Sequence, residues 1–132
     1  MTIDYSHLVT AEHKLTSARA AASALIQAWR DGEERIGVVF DHDGRMWDGD
    51  DASLARLQGA IGGGLGAVPD FFWTDHDNED VPMDGEALDA LLVAMQSARA
   101  QRGFEIHQRQ RAMKEAVATM STADLAAFTP GW

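Results

Sequence analysis

Closely spaced aspartates are the residues of this chain whose type and spacing come nearest to a chemical function, because carboxylate oxygens are the ligands that Ca²⁺ prefers. The densest series is Asp41, Asp43, Asp48, Asp50 and Asp51. An EF-hand loop needs oxygen ligands at positions 1, 3 and 5, glycine at position 6 and glutamate at position 12. Counted from Asp41, position 5 is Arg45 and position 12 is Ala52, so the spacing excludes such a loop. A second series, beginning at Asp75, matches only in part, and we predict no metal site.

Other patterns that could serve catalysis or bind a cofactor are missing. The histidines lack the spacing at which two imidazoles bind one zinc ion; they are His7, His13, His42, His76 and His107. Two of them, His42 and His76, lie in predicted acidic turns, where carboxylates favour the charged imidazole. The glycine-rich segment Gly62–Gly66 follows a predicted helix, whereas a phosphate-binding loop follows a strand. We therefore predict a protein without enzymatic activity, catalytic residues or a cofactor.

The net charge of −10 is concentrated in the middle of the chain. Residues 31–89 contain sixteen acidic and three basic side chains, whereas residues 1–30 have a net charge of +1 and residues 90–132 of +2. Such an acidic middle disfavours nucleic acid and anionic membrane surfaces as partners. We interpret these acids chiefly as solvated turn and helix-cap residues; the alternative is an acidic face that docks on a basic partner.

Composition narrows the class of protein further. There is no run of about 18 apolar residues, so no membrane-spanning helix is predicted, and the N-terminus does not read as a secretory signal. The chain has no cysteine, which excludes disulfides, thiolate catalysis and cysteine-bound zinc. With 45% apolar residues, the sequence predicts a single domain over residues 1–132, made in a reducing cytoplasm.

The predicted elements include a β-hairpin around Asp43-Gly44, the dipeptide that best tolerates the positive φ angles of a type I′ turn. Centring the turn there gives three cross-strand pairs: His42 with Arg45, Asp41 with Met46, and Phe40 with Trp47. One face of the ribbon then carries Ile36, Val38, Phe40 and Trp47. We expect Phe40 and Trp47 to be core residues, because an aromatic pair contributes about 0.5–1.5 kcal/mol beyond its buried area.

A shorter helix and a second hairpin should follow. Either Asp50 or Asp51 can cap the helix, which Gly62–Gly64 ends. Its apolar positions at helical spacing are Leu54, Leu57 and Ile61. Phe71–Thr74 is then predicted to form a strand and Val81–Met83 its return strand, with Pro82 at an edge because proline cannot donate to a ladder.

Two long helices flank the hairpins. The first should run from about residue 10 to about residue 31, with Thr10 as its N-cap and Gly32 near its end. Its apolar seam alternates spacings of three and four residues: Leu8, Ala11, Leu15, Ala18, Ala22, Leu25 and Trp29. The small alanines allow a partner helix to approach closely. The second long helix is the preferred partner, and another copy of the chain is the alternative.

The second long helix should begin after Asp84 and run toward Ala118, interrupted at Gly103. We interpret its basic stretch as a solvated face, or alternatively as a contact surface for an acidic neighbour; the arginines are Arg99, Arg102, Arg109 and Arg111. A capping box at Ser121–Asp124 should open a short last helix, Leu125–Phe128, and the terminal Trp132 should pack against the fold. The predicted class is α+β: two long helices form a hairpin-like scaffold, with a small antiparallel β-sheet of two β-hairpins and a short helix between them.

Three groups of residues together resemble a family. They are Phe40…Trp47-Asp48, then Trp73-Thr74…Asp77-Asn78…Val81-Pro82-Met83, and a closing Pro130-Gly131-Trp132 after the long helix. This order, over roughly residues 12–132, is similar to a domain of unknown function that is often found at the C-terminal end of bacteriophage tail and tail-fibre proteins. The second group and the terminal Gly-Trp are the most specific parts. The resemblance implies no catalytic residue.

The resemblance implies a structural protein of a phage tail, synthesised in the bacterial host cytoplasm and retained in the virion. Since only Met1–Val9 precedes the first predicted helix, we expect a small tail, baseplate or fibre-attachment component rather than a receptor-binding tip. A tail-fibre assembly chaperone that leaves before the virion is complete is the alternative. Expected partners are other tail proteins or a second copy of the chain. The expected contact residues are Leu15, Ala18, Ala22, Leu25, Trp29, Arg99, Arg102, Arg109 and Arg111.

Overall fold

A computed structural model describes the backbone of residues 6–132 and the side chains of residues 10–132. Its elements are α1 (Ser6–Ile36), β1 (Val39–His42), β2 (Arg45–Asp48), α2 (Asp51–Gly62), a 3₁₀ turn (Leu65–Ala67), β3 (Phe72–Thr74), β4 (Asp80–Pro82), α3 (Gly85–Val117) and α4 (Thr122–Ala126). The chain divides into two compact units. The helical unit comprises the described part of Met1–Gly32 together with Ile106–Trp132, and the hairpin unit comprises Glu33–Glu105. The predicted α+β class is confirmed.

The first β-hairpin has the predicted register, with Phe40 opposite Trp47 in the antiparallel pair of β1 and β2. Asp43 has a φ of +55° and Gly44 a φ of +75°, as the two central residues of a type I′ turn require. Trp47 is 2% exposed, and its Nε1–H donates to the His42 carbonyl oxygen at 2.9 Å. The polar atom of this buried ring is therefore satisfied inside the core.

The second hairpin is also antiparallel, with Trp73 of β3 opposite Val81 of β4. The two hairpins form separate two-stranded sheets. A backbone hydrogen bond of 2.9 Å from the His76 N–H to the Met46 carbonyl oxygen links the turn after β3 to β2. The buried core of the hairpin unit consists of Phe40, Trp47, Leu57, Met83, Leu88, Leu91 and Met95.

Ile36 does not lie on the hairpin face, so that prediction is wrong. It is the last residue of α1 and is 71% exposed. Gly37 then has a φ of +74°, and a Cβ at this position would lie 2.6 Å from the Asp50 Cα. Only glycine fits such a turn. Because Gly37 redirects the backbone, the alternation of the ribbon cannot be extended back to Ile36, and Val38 is the first apolar side chain to pack on the core from this segment.

Helix α1 is longer than predicted, because it continues through Gly32 to Ile36 and already includes Ser6. Thr10 therefore lies inside the helix, and its assignment as N-cap is wrong. A glycine in a helix interior costs only about 1 kcal/mol relative to alanine, so Gly32 alone does not end a helix of this length. Leu8, the first residue of the predicted seam, lies outside the residues whose side chains the structure describes.

In the helical unit, α1 packs antiparallel to the second half of α3. Arg19 donates to the Ala118 carbonyl oxygen at 3.3 Å, whereas Arg30, further along α1, donates to Gln110, which lies earlier on α3. The buried core of this unit is Ala22, Ile26, Met113, Val117 and Leu125. The prediction that the second long helix covers the seam is confirmed.

The seam itself departs from the prediction at Leu25, which is 47% exposed, while Ile26 is fully buried. An α-helix has 3.6 residues per turn, so a strict 3.5-residue repeat drifts by about 20° per heptad around a straight helix. The buried face therefore passes from Ala22 to Ile26 and then to Trp29, which is half-buried.

Helix α3 is continuous through Gly103, and α4 begins three residues earlier than predicted, at Thr122. The capping box at its start is present, since the Ser121 hydroxyl accepts from the Asp124 N–H at 3.1 Å. Trp132 contacts Trp29 edge to face, with 5.2 Å between the ring centroids, but remains 54% exposed. The described helices include none that is long and apolar enough to cross a membrane.

Candidate functional site

A groove of about 590 Å³ runs along β3 in the hairpin unit. We call it the β3 groove. It is lined by Asp48 of β2, by Ser53, Arg56 and Ala60 of α2, by Leu65, by Phe71–His76 and by Asn78. One wall is thus a strand and the opposite wall a helix. The side chains combine aromatic rings with a small number of polar groups, which is the usual composition of a binding cleft.

The strand wall presents an unpaired backbone edge. Phe71 and Asp75 form their backbone hydrogen bonds with Met83 and Glu79, on the β4 side. Because backbone groups alternate in direction along an antiparallel strand, Phe72 and Thr74 point their N–H and C=O groups away from β4. Among the residues that the structure describes, neither of these two amides donates to a protein acceptor.

A buried carboxylate fixes the turn at the end of this edge. Asp75 is 5% exposed; its Oδ1 accepts from the Glu79 N–H at 2.9 Å and its Oδ2 from the Arg45 guanidinium at 3.1 Å. Arg45 also bonds the Glu79 carboxylate at 2.8 Å. The Glu79 N–H lowers the pKa of Asp75 below its ordinary value, and Arg45 acts in the same direction. Asp75 is therefore held ionised as part of the fold.

His76 ties the same turn to the first hairpin. Its Nδ1 lies 2.6 Å from the Asp48 Oδ1, beside the backbone bond from the His76 N–H to the Met46 carbonyl. The Asp48 carboxylate raises the pKa of His76 above its ordinary value, and Asp77 and Asp75 add to that effect. The expectation that acidic neighbours favour a charged His76 is confirmed, and the pair closes one end of the β3 groove.

The helix wall starts at the predicted cap of α2. The Asp50 carboxylate accepts from the Ser53 N–H at 3.3 Å, and Ser53 lowers the pKa of Asp50 below its ordinary value. Arg56, one turn later, donates to the Ser53 hydroxyl at 3.3 Å. Ser53 is thus held as part of a cap, while Arg56 brings an exposed guanidinium to the groove.

The residues predicted as partner contacts on α1 fall into two groups. Ala22 is buried in the core of the helical unit, and Leu15, Ala18 and Trp29 pack against that core. Leu25 lies on the exposed side of the helix. Of this set, Leu25 is therefore the side chain that remains exposed for an external contact.

Three of the four arginines predicted as contact residues bond to partners within the chain. Arg99 donates to the Gly49 carbonyl oxygen and to Asp51, both at 2.7 Å, so it holds the junction between β2 and α2. Arg102 pairs with Glu105 at 3.2 Å and lies 3.6 Å from Glu33. Arg109 donates to the Gly131 carbonyl oxygen. Arg111 is exposed, and its role as a contact residue stays a prediction.

The sequence did not single out the β3 groove, although it predicted the strand that forms it. A signal was present in Phe71-Phe72-Trp73, where three successive aromatics cannot all face the core of a two-sided ribbon. Phe72 is accordingly 50% exposed. The partial calcium series that begins at Asp75 instead forms the turn described above. Across the part of the chain that the structure describes, no three His, Asp or Glu side chains are arranged to hold a metal ion.

Comparison with known proteins identifies the family to which this arrangement belongs. Residues 17–129 match the model of a domain of unknown function, DUF4376. No curated protein and no solved structure matches the chain. The matched segment contains both long helices in large part, both hairpins and α2. Because the match covers most of the 132 residues, the chain belongs to the DUF4376 family of domains of unknown function.

Proposed function

We propose that this chain is a non-enzymatic structural protein of a bacteriophage tail, a small tail, baseplate or fibre-attachment component that works through protein–protein contacts. The assignment to a phage tail rests on the resemblance of the Trp73…Met83 series and of the terminal Gly-Trp to a domain of tail and tail-fibre proteins. The site supports the contact role separately, through the features of the β3 groove.

The observation that carries the contact role is a set of exposed apolar side chains in the segment that leads into β3. Leu65, Val68 and Phe72 are each 38% to 50% exposed, and Leu65 and Phe72 line the groove. Isolated apolar residues on a surface are ordinary, but grouped ones beside a cleft are typical of protein-binding sites.

Support for a role without catalysis comes from the partners of the titratable groups at the groove. Asp75 is bonded to Arg45 and to a backbone amide, and His76 is bonded to Asp48. These contacts give both groups a role in holding the turn after β3. Other tail proteins, or a second copy of the chain, are the proposed partners, and the virion tail is the proposed location.

Mass spectrometry of purified particles from the phage that encodes this chain tests the proposal against the chaperone alternative. A structural component should give peptides from this chain in particles that have been freed of lysate proteins by gradient centrifugation. A chaperone should give the same peptides in the lysate and none in the particles. Absence from the particles would therefore reject the structural role.

A further inference from the structure

We propose that the outer edge of β3 is a docking site for an extended, basic peptide segment of a partner protein, which adds to the sheet as a third strand. The inference rests on the proposed function, because it names the surface through which a tail component would hold its neighbour. Strand addition at an open sheet edge is a general mode of peptide recognition, in which main-chain hydrogen bonds provide affinity and side-chain pockets provide specificity.

An added strand needs unpaired backbone N–H and C=O groups to bond with, and β3 has such groups on the edge that faces away from β4. The backbone N–H and C=O groups of Phe72 and Thr74 point toward the groove. His76, two residues further on, uses its outward N–H to bond the Met46 carbonyl oxygen at 2.9 Å. This edge therefore already forms one backbone hydrogen bond to another strand, at His76, and its groups at Phe72 and Thr74 remain unpaired within the part of the chain that the structure describes.

Two other strand edges of this region are each blocked at one position. Pro82 lies opposite Phe72 in the register, and its ring nitrogen faces the outer edge of β4 without a hydrogen to donate. On β2, the outward carbonyl of Met46 is occupied by His76. At β3 the outward groups of Phe72 and Thr74 have no protein partner among the described residues, and the groove leaves room beside Ala60 and Leu65 for side chains that point inward.

The net charge of the hairpin unit favours a basic occupant, even with the guanidinium that Arg56 brings to the groove. Glu33–Glu105 contains sixteen acidic and five basic residues, a net charge of −11. Three of the five arginines, Arg45, Arg99 and Arg102, are already in ion pairs. A field of this sign attracts a basic segment and repels an acidic one. Pairing of β3 with β3 of a second copy would bring two such units together, so the charge favours a different, basic partner.

Binding of a defined probe by the full chain tests the proposal. The probe is a fluorescein-labelled heptapeptide that alternates lysine with valine, so that an extended conformation has one basic and one apolar face. We expect binding, detected by fluorescence polarisation, that weakens as salt is raised. The same peptide with glutamate in place of lysine should not bind. A version N-methylated at alternate backbone amides should bind more weakly, because it has lost its strand donors.

A matched pair of variants locates the site. Thr74→Pro removes the outward N–H without removing any backbone hydrogen bond of the sheet, and proline is tolerated at a strand edge. It should weaken binding of the basic peptide by about three- to tenfold, the effect of one backbone hydrogen bond. Thr74→Val removes the Oγ1–Asp80 bond of 2.9 Å but keeps the N–H, and should bind as the unmodified chain does. Circular dichroism establishes that both variants are folded.

Three results would overturn the docking site: no binding of the basic peptide at millimolar concentration, equal binding of the N-methylated peptide, or equal binding by Thr74→Pro. The N-methylated peptide keeps the test decisive if Thr74→Pro does not fold. The outcome is separable from that of the proposed function. If the chain is missing from purified particles but binds the peptide as described, the tail role is rejected and the docking site is kept. If the chain is present in the particles but does not bind the peptide, the docking site is rejected and the tail role is kept.

Discussion

Single side chains decide how the two hairpins of this protein meet. Asp75 holds its own turn by accepting from the Glu79 N–H, and it holds the first hairpin by accepting from Arg45. His76 adds a second tie through Asp48. These contacts hold the end of β3 against β2, and Asp48, Asp75 and His76 all line the β3 groove. The local chemistry of the turn is therefore structural, and it prepares a surface for binding.

Trp47 should be the most costly single residue to truncate in the first hairpin. Trp47→Ala leaves a large cavity and removes the bond to the His42 carbonyl, so we expect a loss of about 3–5 kcal/mol in the free energy of unfolding. Met46→Ala, on the exposed face of the same strand, should change stability by no more than about 0.5 kcal/mol. Urea unfolding of both variants measures the difference. Equal, small losses would mean that the ring of Trp47 does not lie in the core.

The charge state of His76 provides a test of its pairing with Asp48. Because the carboxylate raises the pKa of His76, the pair stabilises the fold fully below the unfolded value of about 6.5 and loses that contribution as pH rises through the folded pKa. In an NMR titration, the His76 midpoint should lie above about 6.5 and should fall in Asp48→Asn. His107, in the helical unit, is the internal control. An unchanged His76 midpoint in Asp48→Asn would refute the pairing.

At the scale of elements, the helix–helix contact of the helical unit depends on which face α1 turns toward α3. Ile26→Ala should cost about 2–5 kcal/mol of unfolding free energy, because the side chain is fully buried between the helices. Leu25→Ala removes the same class of side chain from an exposed position one residue earlier and should cost less than about 0.5 kcal/mol. Thermal unfolding compares the two variants directly. A larger loss of stability for Leu25→Ala would mean that Leu25, as the heptad spacing predicts, faces α3 instead of Ile26.

The sequence predicted those elements whose signal is local. Asp43-Gly44 determines a two-residue turn, and the turn determines the whole register of β1 and β2. Asp50 and Asp84 mark helix starts because their carboxylates accept from amides three residues later, at Ser53 and Ala87. Each of these features depends on neighbours within a few residues, which the sequence displays.

Features that depend on distant residues were missed. The sequence does not mark Gly37 as the turn that separates α1 from β1, because its need for glycine comes from Asp50, thirteen residues later. Leu25 is exposed because α1 has 3.6 residues per turn, so a 3.5-residue repeat drifts off the buried face over several turns. The β3 groove needs α2, β2 and β3 together, and the open edge at Phe72 and Thr74 appears only when the hydrogen-bond direction of each residue is known.

At the scale of the whole molecule, charge is distributed unevenly between the two units. The hairpin unit carries a net charge of −11 and the helical unit +1. The β3 groove, with its apolar side chains and unpaired backbone groups, belongs to the acidic unit. Such a surface suits the basic partner segment that we propose for the β3 groove.

The most direct test of that role is the amount of this chain per particle. Quantitative mass spectrometry of gradient fractions should measure the ratio of this chain to the major tail protein in intact particles and in detached tails. A structural component predicts one constant ratio in both kinds of fraction and through repeated purification. A ratio that falls toward zero as the particles become purer would contradict the account.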